Sequence, residues 1–216
     1  MADNIFEAQY DISKKSKIRK FYDSYKTLIY SFLILIVIIF GSFNFYLEKK
    51  EKDKILLSEN YFQAKVYLQN GNKSQALDIL KNVVMADDST YSLLSLFLIL
   101  NQNLIDDNNE VSILFNHLLE NNKFDNEIKS LLIYKKALFD SNFANESELL
   151  KTLQPILNSE DNLWRPHALL LIGDYFSSKK EHIKAKEFYM QVLSIKNLDR
   201  DLYYQASSQI ELNNND

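Results

Sequence analysis

The chain has 216 residues and a formal net charge of −4, an acidic balance that makes it a poor nucleic-acid binder, because phosphate contacts need clustered Lys and Arg. It has no cysteine, which excludes disulfides, a thiolate nucleophile and a lipid-modified cysteine anchor. The charge is uneven: residues 1–47 carry 6 basic and 4 acidic side chains, and residues 48–216 carry 19 and 25.

Residues 1–27 read as a juxtamembrane segment. Ile18, Phe21, Tyr22 and Tyr25 fall at i, i+3, i+4 and i+7, one helical face, with Lys14, Lys15, Lys17, Arg19 and Lys20 around it. Two readings stay open: an amphipathic helix lying on anionic lipid, or a plain continuation of the helix that follows.

That helix is LIYSFLILIVIIFGSFNFYL, Leu28 to Leu47, 20 residues without a charge. At about 1.5 Å per residue it matches the roughly 30 Å hydrocarbon core of a bilayer. A signal-peptide apolar region is only about 7–15 residues long and lies near the N-terminus. Here 27 residues precede the run, and Ser42 and Asn44 around Phe43 make no small-x-small cleavage site. A buried core helix would keep a polar face, whereas Ile34–Phe40 is apolar all round. Its β-branched residues disfavour helix in water, but in lipid the backbone must satisfy itself and helix wins. Tyr30, Phe43, Phe45 and Tyr46 lie toward the ends, as interfacial aromatics do. The expectation is an uncleaved single transmembrane helix over 28–47. Six basic residues precede it, with Lys26 the last, and four follow (Lys49, Lys50, Lys52 and Lys54). The positive-inside rule then puts the N-terminus in the cytoplasm. The C-terminal domain lies across the inner membrane, in the periplasm if the source is bacterial.

Residues 48–212 read as helix throughout. The whole chain has only three Gly and two Pro, and no stretch alternates apolar with polar as strands do. Polar clusters at 69–72, 86–89, 105–110, 121–126, 140–147, 158–162, 177–182 and 196–200 mark the breaks. Asn, Asp and Ser serve there as turn residues and N-caps. Trp164 with Pro166 opens one helix, and the Trp is read as a packing anchor. Residues 200–212 read as a closing half-repeat, and 213–216 as a frayed tail.

Two stretches share one spacing: Ala64, Tyr67, Ala76, Leu80, Val83 and Gly173, Phe176, Ala185, Tyr189, Val192. A small residue on one helix faces a small residue twelve later on the next, so the two backbones can approach closely. A weaker copy runs through Ala137, Leu149, Leu153 and Ile156, with Asp140 in the aromatic's place. Residues 89–121 have lost the pattern. The spacing resembles the tetratricopeptide repeat. The fold expected is therefore all-α: an N-terminal single transmembrane helix followed by a tetratricopeptide-repeat-like α-solenoid, whose first helices line a concave groove. The repeat's register assigns that groove Tyr61, Lys65, Gln69, His167, Leu170, Asp174 and Ser177. A mixed aromatic and polar lining suits a peptide segment or a partner's helix.

Catalysis finds no footing. His117, His167 and His182 are not at metal-ligand spacing, and HExxH, P-loop and GxSxG motifs are absent from the sequence. The acidic clusters sit in turns, where they cap helices. No catalytic residue, metal, cofactor or small-molecule substrate is expected. The architecture resembles the YfgM-like family, ancillary subunits of the bacterial Sec translocon. The segment NIFEAQYDISKKSKIRKFYDSYK is similar to the juxtamembrane region of its alphaproteobacterial members. The resemblance implies translocon subunits, periplasmic chaperones and exported chains as partners, and a role in handing newly exported proteins on. The alternative is a structural scaffold that holds envelope-assembly or cell-division proteins in the same groove.

Overall fold

The computed structural model describes residues 4–159 and 161–214, without the side chains of residues 4–20, 23, 24, 29, 33 and 214. Among the described residues every regular element is an α-helix. They run α1 (Asn4–Gln69), α2 (Lys73–Val84), α3 (Tyr91–Asn101), α4 (Asn108–Asn121), α5 (Asn126–Asp140), α6 (Glu146–Leu157), α7 (Arg165–Ser178), α8 (His182–Leu193) and α9 (Arg200–Asn214).

The helices stop where the polar clusters fall, and the local chemistry explains why. Asp107 accepts the Asn109 amide at 2.9 Å, and Asp125 accepts that of Ile128 at 2.9 Å. Asn145 and Glu148 form a reciprocal capping box at 3.0 and 3.1 Å, which satisfies two orphan donors of α6. Several C-terminal ends close through a left-handed residue. After α1 the chain reaches Gly71 at φ 78°, with the Asn72 amide donating to the Tyr67 carbonyl at 2.9 Å. Asp87, Asn103 and Asn197 also have positive φ, as does Lys180 at 64° after α7. A β-carbon is disfavoured there, and Lys lacks the short polar side chain that eases Asn and Asp into this region. Lys180→Gly is therefore expected to stabilise the protein by about 0.5–1 kcal/mol, read as a higher urea midpoint with an unchanged slope.

The chain divides into two compact units, Met1–Leu56 and Leu57–Asp216. In the first, α1 carries a stretch long and apolar enough to cross a membrane, and none of it is buried within the protein. Val37 is 70% exposed and Phe40 64%. No helix end marks 27/28 or 47/48, because α1 is unbroken from Asn4 to Gln69. That continuity matches the second of the two readings of residues 1–27. Of the expected apolar face, Phe21, Tyr22 and Tyr25 are exposed, while Ile18 and the basic residues at 14, 15, 17, 19 and 20 have side chains outside the described set.

In the second unit successive helices pack in order, and α2–α4, α5–α7 and α7–α9 also touch. This is a stack of helix pairs: α3 with α4, α5 with α6, α7 with α8, and α9 closing on α8 and α7, with Ala64 at the end of α1 sharing a core with Ala76 and Leu80 of α2. Two apolar cores result. One gathers Ala64, Ala76, Leu80, Leu96, Phe115 and Leu132. The other gathers Ala137, Leu153, Ile172, Phe176, Ala185 and Tyr189. Helix α5 contributes to both.

The repeat spacing sits at the centre of this packing. On the second helix of each pair the positions i, i+4 and i+7 are Ala76/Leu80/Val83, Val111/Phe115/Leu118, Leu149/Leu153/Ile156 and Ala185/Tyr189/Val192, all buried. The stretch 89–121, which lacks the small residues of the pattern, thus keeps the buried face of its second helix. Ser92 and Ser95 supply small buried residues on α3 instead. The Ser92 hydroxyl donates to the Val83 carbonyl at 2.7 Å and so ties α3 to α2. The chain end also departs from expectation. Helix α9 runs to Asn214, and the Asn213 side chain bonds Ser177 at 3.0 Å and His182 at 2.6 Å, so residue 213 is a clasp, while residues 215 and 216 of the expected tail lie outside the described residues.

Candidate protein-binding groove

The seven residues assigned to the groove fall into two sets on separate helices. Tyr61, Lys65 and Gln69 lie on the last turns of α1, and His167, Leu170, Asp174 and Ser177 on α7. Tyr61 packs on the first core and Leu170 on the second.

The α1 set is the more open. Tyr61 is half-buried, with its ring 5.6 Å from that of Phe62 and 6.1 Å from that of Tyr91. The Lys65 ammonium lies 5.8 and 5.6 Å from the Tyr61 and Phe62 ring centroids, a cation–π arrangement worth about 0.5–1 kcal/mol at an exposed site. Gln69 is exposed at the end of the helix. Phe62 and Val66 beside them are also exposed, so this face offers rings, an aliphatic side chain and a cation together.

The α7 set is more committed to the protein's own packing. Leu170 is 5% exposed and belongs to the second core, so it does not line an open groove. The reason lies in α7 itself, which is apolar on nearly every side from Ala168 to Gly173 and is enclosed by α5, α6, α8 and α9. Ser177 donates to Asn213 of α9. Asp174 accepts the Tyr189 hydroxyl at 2.8 Å. Burial pushes the Asp174 carboxyl above the usual carboxylate range, and the bond from Tyr189 pulls in the other direction. Burial, and then the same carboxylate, hold Tyr189 well above the phenol range. Burial and the Asp174 charge also raise Tyr134.

The sign of the stability effect follows. The folded-state pKa of Asp174 lies above its unfolded value, so its contribution is fully present below the unfolded pKa and is lost as pH rises through the folded one. Asp174→Asn keeps an acceptor for Tyr189 without a buried charge. It is expected to raise the melting temperature at pH 7 relative to the parent. The gap should close as pH falls below the ordinary carboxylate range, as calorimetry across pH would show.

His167 belongs to an aromatic group that single positions of the strongest repeats do not reveal. Tyr134 of α5 stacks on Trp164 at 5.3 Å and 27°, and His167 lies 5.1 Å from Trp164 and 5.8 Å from Tyr134. Trp164 is the packing anchor expected of it, half-buried at the start of α7. Its indole nitrogen and the His167 Nδ1 are buried without a partner. Beside them an open cavity of about 540 Å3 is bounded by α5, α7 and α9, with Glu127, Leu202 and Gln205 in its wall. A signal for Tyr134 existed. Tyr61, Tyr134 and Leu170 each stand three residues before the small residue of their repeat, Ala64, Ala137 and Gly173.

Residues 166–197, which cover nearly all of α7, the turn and α8, match the tetratricopeptide repeat family. No curated protein and no solved structure matches the chain.

Proposed function

We propose that the protein is a membrane-anchored, protein-binding repeat protein whose helix stack receives segments of other proteins. The observation that carries this reading is one helix with a bare, uncharged 20-residue stretch, joined in sequence to stacked helix pairs that include a tetratricopeptide repeat. Such a repeat mediates protein–protein contacts. An apolar surface of this extent is stable only when covered, and hydrocarbon covers it over its full length. The contact face comprises Tyr61, Lys65 and Gln69 at one end and His167, Asp174 and Ser177 at the other.

The finer reading is an ancillary subunit of the Sec translocon in the inner membrane. It would assist the handover of exported proteins to periplasmic chaperones, with residues 48–216 in the periplasm. Its support is the resemblance to the YfgM-like family in architecture and in the N-terminal segment, together with the excess of basic residues before the span. Photocrosslinkers placed between residues 28 and 60, with mass spectrometry of the products, test it. Secretion-channel subunits among the products would uphold the reading. Division or outer-membrane assembly proteins would replace it with the scaffold reading.

Topology is a separate test. Protease added to spheroplasts is expected to digest the repeat domain and leave a membrane-protected fragment of residues 1 to about 50. Protection of the repeat domain with digestion of residues 1–27 would make the protein a cytosolic tethered adaptor.

A further inference from the structure

The geometry points to a second ligand site, separate from the groove, in the cavity between α4, α5 and α6: a pocket for an aromatic ring that bears one neutral hydrogen-bond donor, a phenol or an indole. Two repeats of the same chain, compared position by position, lead to it. In the last pair Phe176 and Phe188 stack with centroids 5.5 Å apart and planes at 15°, and together they fill the space between α7 and α8. Phe176 stands three residues after Gly173, and Phe188 three after Ala185. The same steps from Ala137 and Leu149 lead to Asp140 and Thr152. Both rings are missing from the α5–α6 pair. Both replacements line a cavity of about 560 Å3, within the roughly 300–1,000 Å3 typical of small-ligand sites.

Both replacements are polar; the Thr152 hydroxyl donates to the Glu148 carbonyl, and Asp140 keeps an oxygen without a partner. Asp140 is 7% exposed, so its carboxylate is not a solvated surface charge. Lys136, one turn earlier on α5, donates to Oδ2. Oδ1 is buried and has no donor. A carboxylate oxygen out of water and without a donor is costly to keep, and an incoming O–H or N–H relieves that cost. Leu119, Ile133, Phe143 and Pro155 supply apolar wall for the faces of a ring. Lys129, Lys151 and Glu148 also line the cavity; Glu148 accepts the Asn145 amide in the capping box, and the two lysines disfavour an ammonium as the donor and leave a neutral one. The protein already uses this pairing internally, where the Tyr189 hydroxyl donates to Asp174. A ring supplied from outside would thus restore at α5–α6 what Phe176 and Phe188 provide at α7–α8, with a hydrogen bond added. None of the seven groove residues lines this cavity, so the site does not depend on the groove or on the membrane reading.

The test is a calorimetric titration of the full chain in detergent with N-acetyl-tyrosinamide and N-acetyl-phenylalaninamide, which differ by one hydroxyl. The tyrosine amide is expected to bind saturably and at least fivefold more tightly. Equal affinities would overturn the role of Asp140, and saturable binding of neither would overturn the site. Thr152→Phe puts a ring where the last repeat has Phe188 and leaves the Lys136–Asp140 pair in place. It is expected to abolish binding while the melting temperature holds or rises, and it controls for partition into detergent. Undiminished binding to the folded variant would move the ring elsewhere and overturn the assignment. A short peptide with a central tyrosine separates the sources of the ring. Tighter binding than the amide supports a partner protein's side chain, and equal binding supports a free small molecule in the same site.

Discussion

Gly173→Leu is expected to collapse the last repeat, with a loss of at least about 1–3 kcal/mol, the usual cost of overpacking. The position has no room for any side chain. A β-carbon built on Gly173 would lie under 3.0 Å from Cε1, Cδ1 and Cζ of the Tyr189 ring. That ring cannot easily yield, because it is fully buried and its hydroxyl is held by Asp174. Gly173→Ala should therefore already destabilise, against its usual benefit within a helix. In a domain of this size each kcal/mol lowers the melting temperature by about 2–4 °C. The first repeat indicates the remedy. It carries Ala64 and Leu80 at the two corresponding positions, both fully buried. Gly173→Ala combined with Tyr189→Leu recreates that pair and should recover much of what Gly173→Ala alone loses. Two single variants that melt like the parent would refute the close contact.

The second large effect concerns α1. Arg at both Leu35 and Ile38 is expected to release the protein from the membrane. Each charge near the middle of a span costs about 2.5–3.5 kcal/mol of insertion free energy, and the run Leu28–Leu47 has no charge of its own to be relieved. Alkaline carbonate extraction reads the result, with the parent in the pellet and the variant in the supernatant. A variant that still pellets with lipid would mean that something other than this stretch holds the chain to the membrane.

Much of the fold was legible because it depends on local chemistry. Helix ends need side chains that cap them, and Asp107, Asp125 and Asn145 announce themselves in sequence as well as in structure. The small residues Ala64, Ala76, Gly173 and Ala185 were legible for a similar reason, since each answers to one close helix contact. What escaped depends on contacts remote in sequence. Nothing around residues 27 or 47 breaks a helix or requires it to continue, so the unbroken course of α1 has no local signature. Leu170 occupies a groove register but is buried by helices on several sides of α7. Asn213 looks like the start of a polar tail until Ser177 and His182 are placed beside it. Tyr134, Trp164 and His167 meet only when α5 and α7 are stacked, and the α5 repeat was too degenerate to carry its register forward.

Helix α5 gives its neighbouring residues Leu132 and Ile133 to different cores, and Leu119 packs against both. In a linear array, stability is close to a sum of nearest-neighbour terms, so cooperativity is only as strong as the weakest junction. Here the junction is an element owned by both sides. Neither half can open at α5 without exposing apolar surface of the other. Amide exchange in α5 should accordingly be the slowest in the domain and should track its global unfolding. The amides of α2 and α9, at the ends of the stack, can escape through partial opening that leaves the middle closed.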